Sequence, residues 1–146
     1  MIEVIRFLPE HVEALERQNA DMKFSKFFTR EHYQALEGSP WSFTGIVSGR
    51  IVGCAGAIPY WEGRGEAWVI LDRSVRHEFL SFHNAVKRGL EICPLRRIEA
   101  VVDENFRKGH QWITLLGFRK EAEVLTGYWP DGSNATLYSK IKIDST

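Results

Sequence analysis

Hydrophobic and polar positions change period several times along the chain, and the most informative change falls between Gly65 and Cys93. Glu66-Ala67-Trp68-Val69-Ile70-Leu71 is a short apolar run with no polar break, the pattern of a strand buried on both faces at the centre of a sheet. Asp72-Arg73-Ser74 then leads into helical spacing. Val75, Phe79, Phe82, Val86 and Leu90 recur three or four apart with Arg76, His77, Glu78, Lys87 and Arg88 between them, which predicts a helix over 75–92 packed on one face of that sheet. A strand feeding a helix aims the first, unpaired helical N–H groups at the strand's C-terminal edge, where a phosphate or carboxylate is favoured.

The flanking segments complete a mixed order. Ile2 to Phe7 alternates as a strand, and Pro9-Glu10 opens a helix expected to end near Asn19. Ala20 to Phe28 mixes Met22, Phe24, Phe27 and Phe28 with Lys23 and Lys26, and reads either as buried aromatics or as the wall of a cleft. Thr29 is placed to cap a helix over 30–37, closed by Gly38. Trp41 to Val47 and Ile51 to Ile58 form a hairpin through Ser48-Gly49-Arg50, and the small residues Gly53 to Ala57 leave room for another element. Pro59 and Gly63-Arg64-Gly65 are expected to turn the chain into the central strand. After the long helix, Pro94 enforces a stop and Arg97 to Val102 supplies a strand parallel to Glu66–Leu71. Asp103-Glu104-Asn105 caps a helix to Leu116, Gly117 ends it, and Phe118 to Tyr128 and Ala135 to Ile143 are the last strands.

Composition narrows the function classes. With 146 residues and 44% hydrophobic positions, the chain is expected to be a single domain. Its 19 basic and 19 acidic residues balance, without clusters, which argues against nucleic acid as a partner. No stretch has the length of a membrane span or the pattern of a signal peptide, so no membrane role and a cytoplasmic location are expected. Cys54 and Cys93 read as buried thiols. The histidines at 11, 32, 77, 83 and 110 show no ligand spacing, so no metal site is expected.

The order of elements, the junction at 65–93 and the run from Asn105 to Leu116-Gly117-Phe118 resemble the GCN5-related N-acetyltransferase (GNAT) superfamily. That resemblance implies a mixed α/β fold, with a mainly antiparallel sheet of six or seven strands flanked by about four helices. It also implies acetyl-coenzyme A as acyl donor and an amine as acceptor. Val69, Ile70 and Leu71 would offer backbone groups to the pantetheine arm. Arg76 and His77 would lie at the pyrophosphate, and Asn105 in the asparagine motif. The family pattern of glycines after the central strand is absent, because Phe79 and Ser81 stand at those positions. A tyrosine that serves as general acid in many members is replaced by Ile113, beside Trp112. Glu66 matches the glutamate that some members use as general base, and also fits an ordinary strand-end glutamate; Tyr128 and Tyr138 are alternative phenols. Two functions therefore stand side by side: an acetyl-coenzyme A dependent N-acetyltransferase, and a catalytically inactive GNAT-like bacteriophage structural or internal virion protein that works through protein partners, in the host cytoplasm or the virion.

Overall fold

A computed structural model describes residues 2–15, 30–37 and 41–142. Hydrogen bonding joins seven strands in the order β1-β2-β3-β4-β5-β7-β6, and the described residues include four α-helices. The chain resolves into two compact units, Met1–Ile58 with Trp68–Cys93 and Pro59–Ala67 with Pro94–Thr146, so strands β3 and β4 pass from one to the other.

In the first unit, β1 (Glu3–Arg6) pairs antiparallel with β2 (Phe43–Val47), which pairs antiparallel with β3 (Arg50–Trp61). The β2–β3 turn carries Ser48 at φ 50° and Gly49 at φ 76°. Two consecutive left-handed residues match the twist of a tight hairpin, as the Ser-Gly pair predicts. Helices α1 (Glu10–Glu13) and α2 (Arg30–Glu37) supply Val12, Tyr33 and Leu36 to a core with Phe7, Leu15 and Cys54, against which Trp68 and Ile70 of β4 (Arg64–Leu71) pack. The small residues of β3 do make room. A Cβ on Gly53 would come within 2.9 Å of the Phe82 ring and 3.0 Å of Leu71. Phe82 itself is fully buried, so this glycine is the seat of helix α3 (Phe79–Ile92).

Several expectations need correction. The first helix is a single turn, with Pro9 as its N-cap, and the expected course toward Asn19 and the segment Ala20 to Phe28 lie outside the described residues. Pro59 does not break β3, which continues to Trp61. Proline lacks only the donor N–H, and a strand tolerates it where that donor is not needed. The predicted central strand begins two residues earlier, at Arg64, and most of it is half-buried rather than buried on both faces. The helix predicted over 75–92 is divided: Arg73–His77 is a 3₁₀ helix, and α3 starts at Phe79.

The second unit contains β5 (Arg97–Asp103), α4 (Arg107–Leu115), β6 (Arg119–Leu125) and β7 (Ala135–Ile141). As expected, β5 runs parallel to β4, with Arg64, Gly65 and Glu66 opposite Arg97, Ile98 and Glu99. β7 inserts antiparallel between β5 and β6. Helix α4 starts later than the polar triplet suggested. Its N-cap is Phe106, without a side-chain cap, because Asp103 uses its carboxylate on the N–H of Asn105 and so closes the preceding turn. Gly117 ends the helix at φ 94°, the left-handed terminator that the sequence predicts.

Candidate active site

The hairpin between β3 and β4 turns at Glu62 and Gly63, with Gly63 at φ 85°. That turn folds Tyr60 back onto Glu66, and the Tyr60 hydroxyl donates a hydrogen bond to Glu66 Oε2. Glu66 is half-buried, and burial is the main reason its carboxyl is pushed above the usual range; the nearby charge of Glu99 adds to this, while the Tyr60 hydrogen bond and Arg64 act against it. Burial and the bond to Glu66 push the Tyr60 phenol upward as well. Tyr128 is raised for related reasons, first burial and then the charges of Glu66 and Glu99. A carboxylate with raised basicity, next to neutral phenols, is suited to taking a proton from an ammonium or an attacking amine.

Glu99, the register partner of Glu66, has the opposite surroundings. Arg64 grips it through two hydrogen bonds, Nε to Oε2 at 2.5 Å and Nη2 to Oε1 at 2.9 Å, and Arg97 Nε adds a third at 2.7 Å. These bonds, led by Arg64, hold the Glu99 carboxyl at about 2. Arg97 also reaches Glu121 at 2.8 Å. The Arg64 guanidinium is stacked over Trp61 at 4.4 Å and over Tyr60 at 5.1 Å. Arg64 is therefore directed to Glu99 and the rings, and among the described residues Tyr60 is the side chain that hydrogen-bonds Glu66.

The other end of β4 carries a different carboxylate. Asp72 caps the 3₁₀ helix: its Oδ1 accepts from the Ser74 N–H at 2.9 Å and from the Ser74 hydroxyl at 2.5 Å. The N–H of Val75 turns back to the Asp72 carbonyl, and that of Glu78 to the Val75 carbonyl. The amides of Ser74, Val75 and Glu78 are thus committed within the chain, that of Ser74 to a negatively charged side chain. Phe79 is half-buried and stacks on His83. Those three amides are not open to a diphosphate. The side chains of Arg73, Arg76 and His77 are all exposed.

The residues singled out from sequence divide between the units. Glu66 and Asn105 fall in the second, and Val69, Ile70, Leu71, Arg76 and His77 in the first. Asn105 is exposed, and it is held by its backbone, through Asp103 Oδ1 and the N–H of Arg107. Of the two alternative phenols, Tyr138 is buried and committed. The ring nitrogen Nε2 of His110 lies 3.0 Å from the Glu104 carbonyl, which can only accept, so in the neutral ring Nδ1 accepts the Tyr138 hydroxyl at 2.8 Å. This pair borders an open recess of about 350 Å³ lined also by Lys120, Glu123 and Thr136. Tyr60 carried no catalytic role in the reading of the sequence. The signal lay in the turn pair Glu62-Gly63, which becomes informative once Pro59 is allowed inside the strand.

Among described residues, no group of histidine, cysteine and acidic side chains has the arrangement of a metal site, and no helix is long and apolar enough to cross a membrane. Cys54 and Cys93 are buried and are not joined in a disulfide.

Solved structures similar to this one cover nearly the whole chain. Ard1 from Thermoplasma volcanium superposes with a TM-score of 0.75 at 16% identity, over 98% of this chain and 99% of that one. A spermidine N-acetyltransferase SpeG chimera from Vibrio cholerae and hSSAT gives 0.72 at 13% identity, over 96% and 95%. An acetyltransferase of the GNAT family from Bacillus anthracis gives 0.67 at 18%, over 96% and 94%. The chain therefore has the fold of the GCN5-related N-acetyltransferases, in a divergent sequence. No protein-family model matches it, and no curated protein does.

Proposed function

We propose that the protein is an N-acyltransferase that moves an acetyl group from acetyl-coenzyme A to an amine, with Glu66 as general base. The observation that carries this reading is the state of Glu66: a half-buried carboxylate of raised basicity at the head of β4, hydrogen-bonded to a phenol and left by Arg64, in a fold shared with N-acetyltransferases. Glu66 takes the proton as the amine attacks the thioester carbonyl, the C–S bond breaks, and coenzyme A leaves as a thiolate that takes a proton from water; Val69, Ile70 and Leu71, further along the same strand, offer backbone groups to the pantetheine arm. The diphosphate is met by side chains of Arg73, Arg76 and His77 instead of a glycine-lined turn, so coenzyme affinity is modest. Asn105 contributes through its exposed side chain at the start of α4.

The test is release of free coenzyme A thiol from acetyl-coenzyme A in the presence of a panel of amines, with thermal unfolding beside it. A ligand that binds only the folded protein adds about 2.7 kcal/mol at a hundred times its dissociation constant. Amine-dependent thiol release with a saturable stabilisation supports the enzyme. Absence of both at millimolar acetyl-coenzyme A overturns it. One observation favours a second reading, a non-catalytic protein of this fold that acts through protein partners: Asp72 holds the turn that a coenzyme diphosphate would need.

A further inference from the structure

Resting on the reading of Glu66 as base, we propose that Tyr60 is a positioning residue which fixes Glu66 Oε2 and leaves Oε1 to face the amine, setting the pH above which the carboxylate can accept a proton. The geometry comes from the hairpin. Tyr60 and Glu66 are six positions apart, and the Glu62-Gly63 turn, with Gly63 in the left-handed region, brings the phenol onto the carboxylate. The phenol is a donor only as long as it stays protonated, and its surroundings push its acidity further from neutrality. It therefore donates throughout the working pH range.

The groups around Glu66 leave this task to Tyr60. On its own strand, Arg64 attracts the carboxylate electrostatically but gives its hydrogen bonds to Glu99 and its flat face to Trp61 and Tyr60. On β5, Glu99 lies opposite Glu66 and disfavours a second negative charge. Beyond β6, Tyr128 is half-exposed and feels the charge of Glu66. A donor to the ionised carboxylate opposes both burial and Glu99, so it lowers the pH at which Glu66 becomes a base. Holding one oxygen also removes a rotational freedom, so the free oxygen is presented in one orientation.

Tyr60 is 46% exposed, so Tyr60→Phe leaves the core undisturbed. Its loss should move the Glu66 titration upward by about one pH unit, the size expected for one hydrogen bond to a charged group. Two readouts apply: carboxyl-carbon NMR titration of Glu66, with Glu66→Gln to assign the signal, and the pH profile of kcat/KM. The expected result is that the NMR midpoint and the acid limb rise together and that the rate recovers at higher pH, whereas a merely structural loss lowers the rate at every pH. An unchanged midpoint overturns the proposal whatever the activity. A raised midpoint without amine-dependent turnover in either protein overturns the acyltransferase reading and supports the Tyr60–Glu66 link.

Discussion

The two ends of β4 each carry a carboxylate, and they use it in opposite ways. At the head, Glu66 is half-buried and accepts a hydrogen bond from the Tyr60 phenol through Oε2. At the tail, Asp72 is 6% exposed and directs Oδ1 at the N–H and hydroxyl of Ser74, closing the turn into a 3₁₀ helix. One acid sits half-buried beside a phenol, and the other is committed to the backbone at the start of the 3₁₀ helix. The comparison teaches that the missing glycines are only half of the departure at this turn. The amides of Ser74, Val75 and Glu78 are already occupied.

The largest effect is expected at the head. Glu66→Gln keeps the shape and removes the base, so kcat should fall by about 10² to 10⁴ with little change in the affinity for acetyl-coenzyme A. Steady-state kinetics with saturating amine measure both. A turnover within threefold of the parent would remove Glu66 from the chemistry and leave the two ends of the strand equally structural.

Glu99 supports the head from the neighbouring strand, and its removal should appear in stability. Glu99→Gln leaves Arg64 and Arg97 facing each other without the carboxylate that unites them, at a position that is 7% exposed. The expected loss is about 2 kcal/mol, roughly 5 °C in Tm, measured by thermal or urea unfolding. The pH dependence has a definite sign. Glu99 is held at about 2 against an ordinary 4.5, so its stabilisation is present above about pH 4.5 and is lost as the pH falls toward 2. Glu66, raised in the folded protein, acts the other way: its contribution is greatest below the ordinary carboxylate value and declines as the pH rises through its folded one. Glu99→Gln should therefore flatten the acid side of the stability profile.

The strand-helix-strand unit, the parallel pairing of β4 with β5 and the role of Gly117 were legible because each follows from local periodicity or a single special residue. Glu66 was legible as a position on a strand. Its partner was not, because Tyr60 lies beyond a proline that sequence rules treat as a break, and the hydrogen bond depends on a hairpin that extends two residues past it. The stacking of Arg64 on Tyr60 and Trp61 was not legible either, because it depends on Glu99, more than thirty residues away. The division of the long helix was hidden for another reason. Val75 has the spacing of the helical stripe, and its side chain is indeed buried, but the Asp72 cap draws the chain into a tighter turn that periodicity alone does not distinguish.

At the tail, charge and cap can be separated. Asparagine caps a helix about as well as aspartate, so Asp72→Asn should leave stability within about 0.5 kcal/mol and remove the negative charge, whereas Asp72→Ala should cost about 1 kcal/mol by losing the cap. Coenzyme A affinity, measured by isothermal titration, is expected to rise severalfold in both. The rise should be larger in the alanine variant, which also frees the N–H of Ser74. No gain in either would mean that Asp72 is not what limits binding at this turn.

The smallest effect is expected from restoring the glycines alone. Phe79→Gly with Ser81→Gly removes the side chains at the start of α3 but leaves the Ser74 amide on Asp72 and the 3₁₀ hydrogen bonds in place, so coenzyme A affinity should change by less than about twofold. The same pair placed on Asp72→Ala should improve binding beyond the alanine variant, because an open backbone helps a phosphate only when its amides are free to donate. This non-additivity is the measurement that decides between the two obstacles. If the glycines by themselves raised affinity tenfold, the side chains of Phe79 and Ser81 would be the barrier, Asp72 would be an ordinary helix cap, and the contrast between the two ends of β4 would reduce to one of sequence rather than of charge.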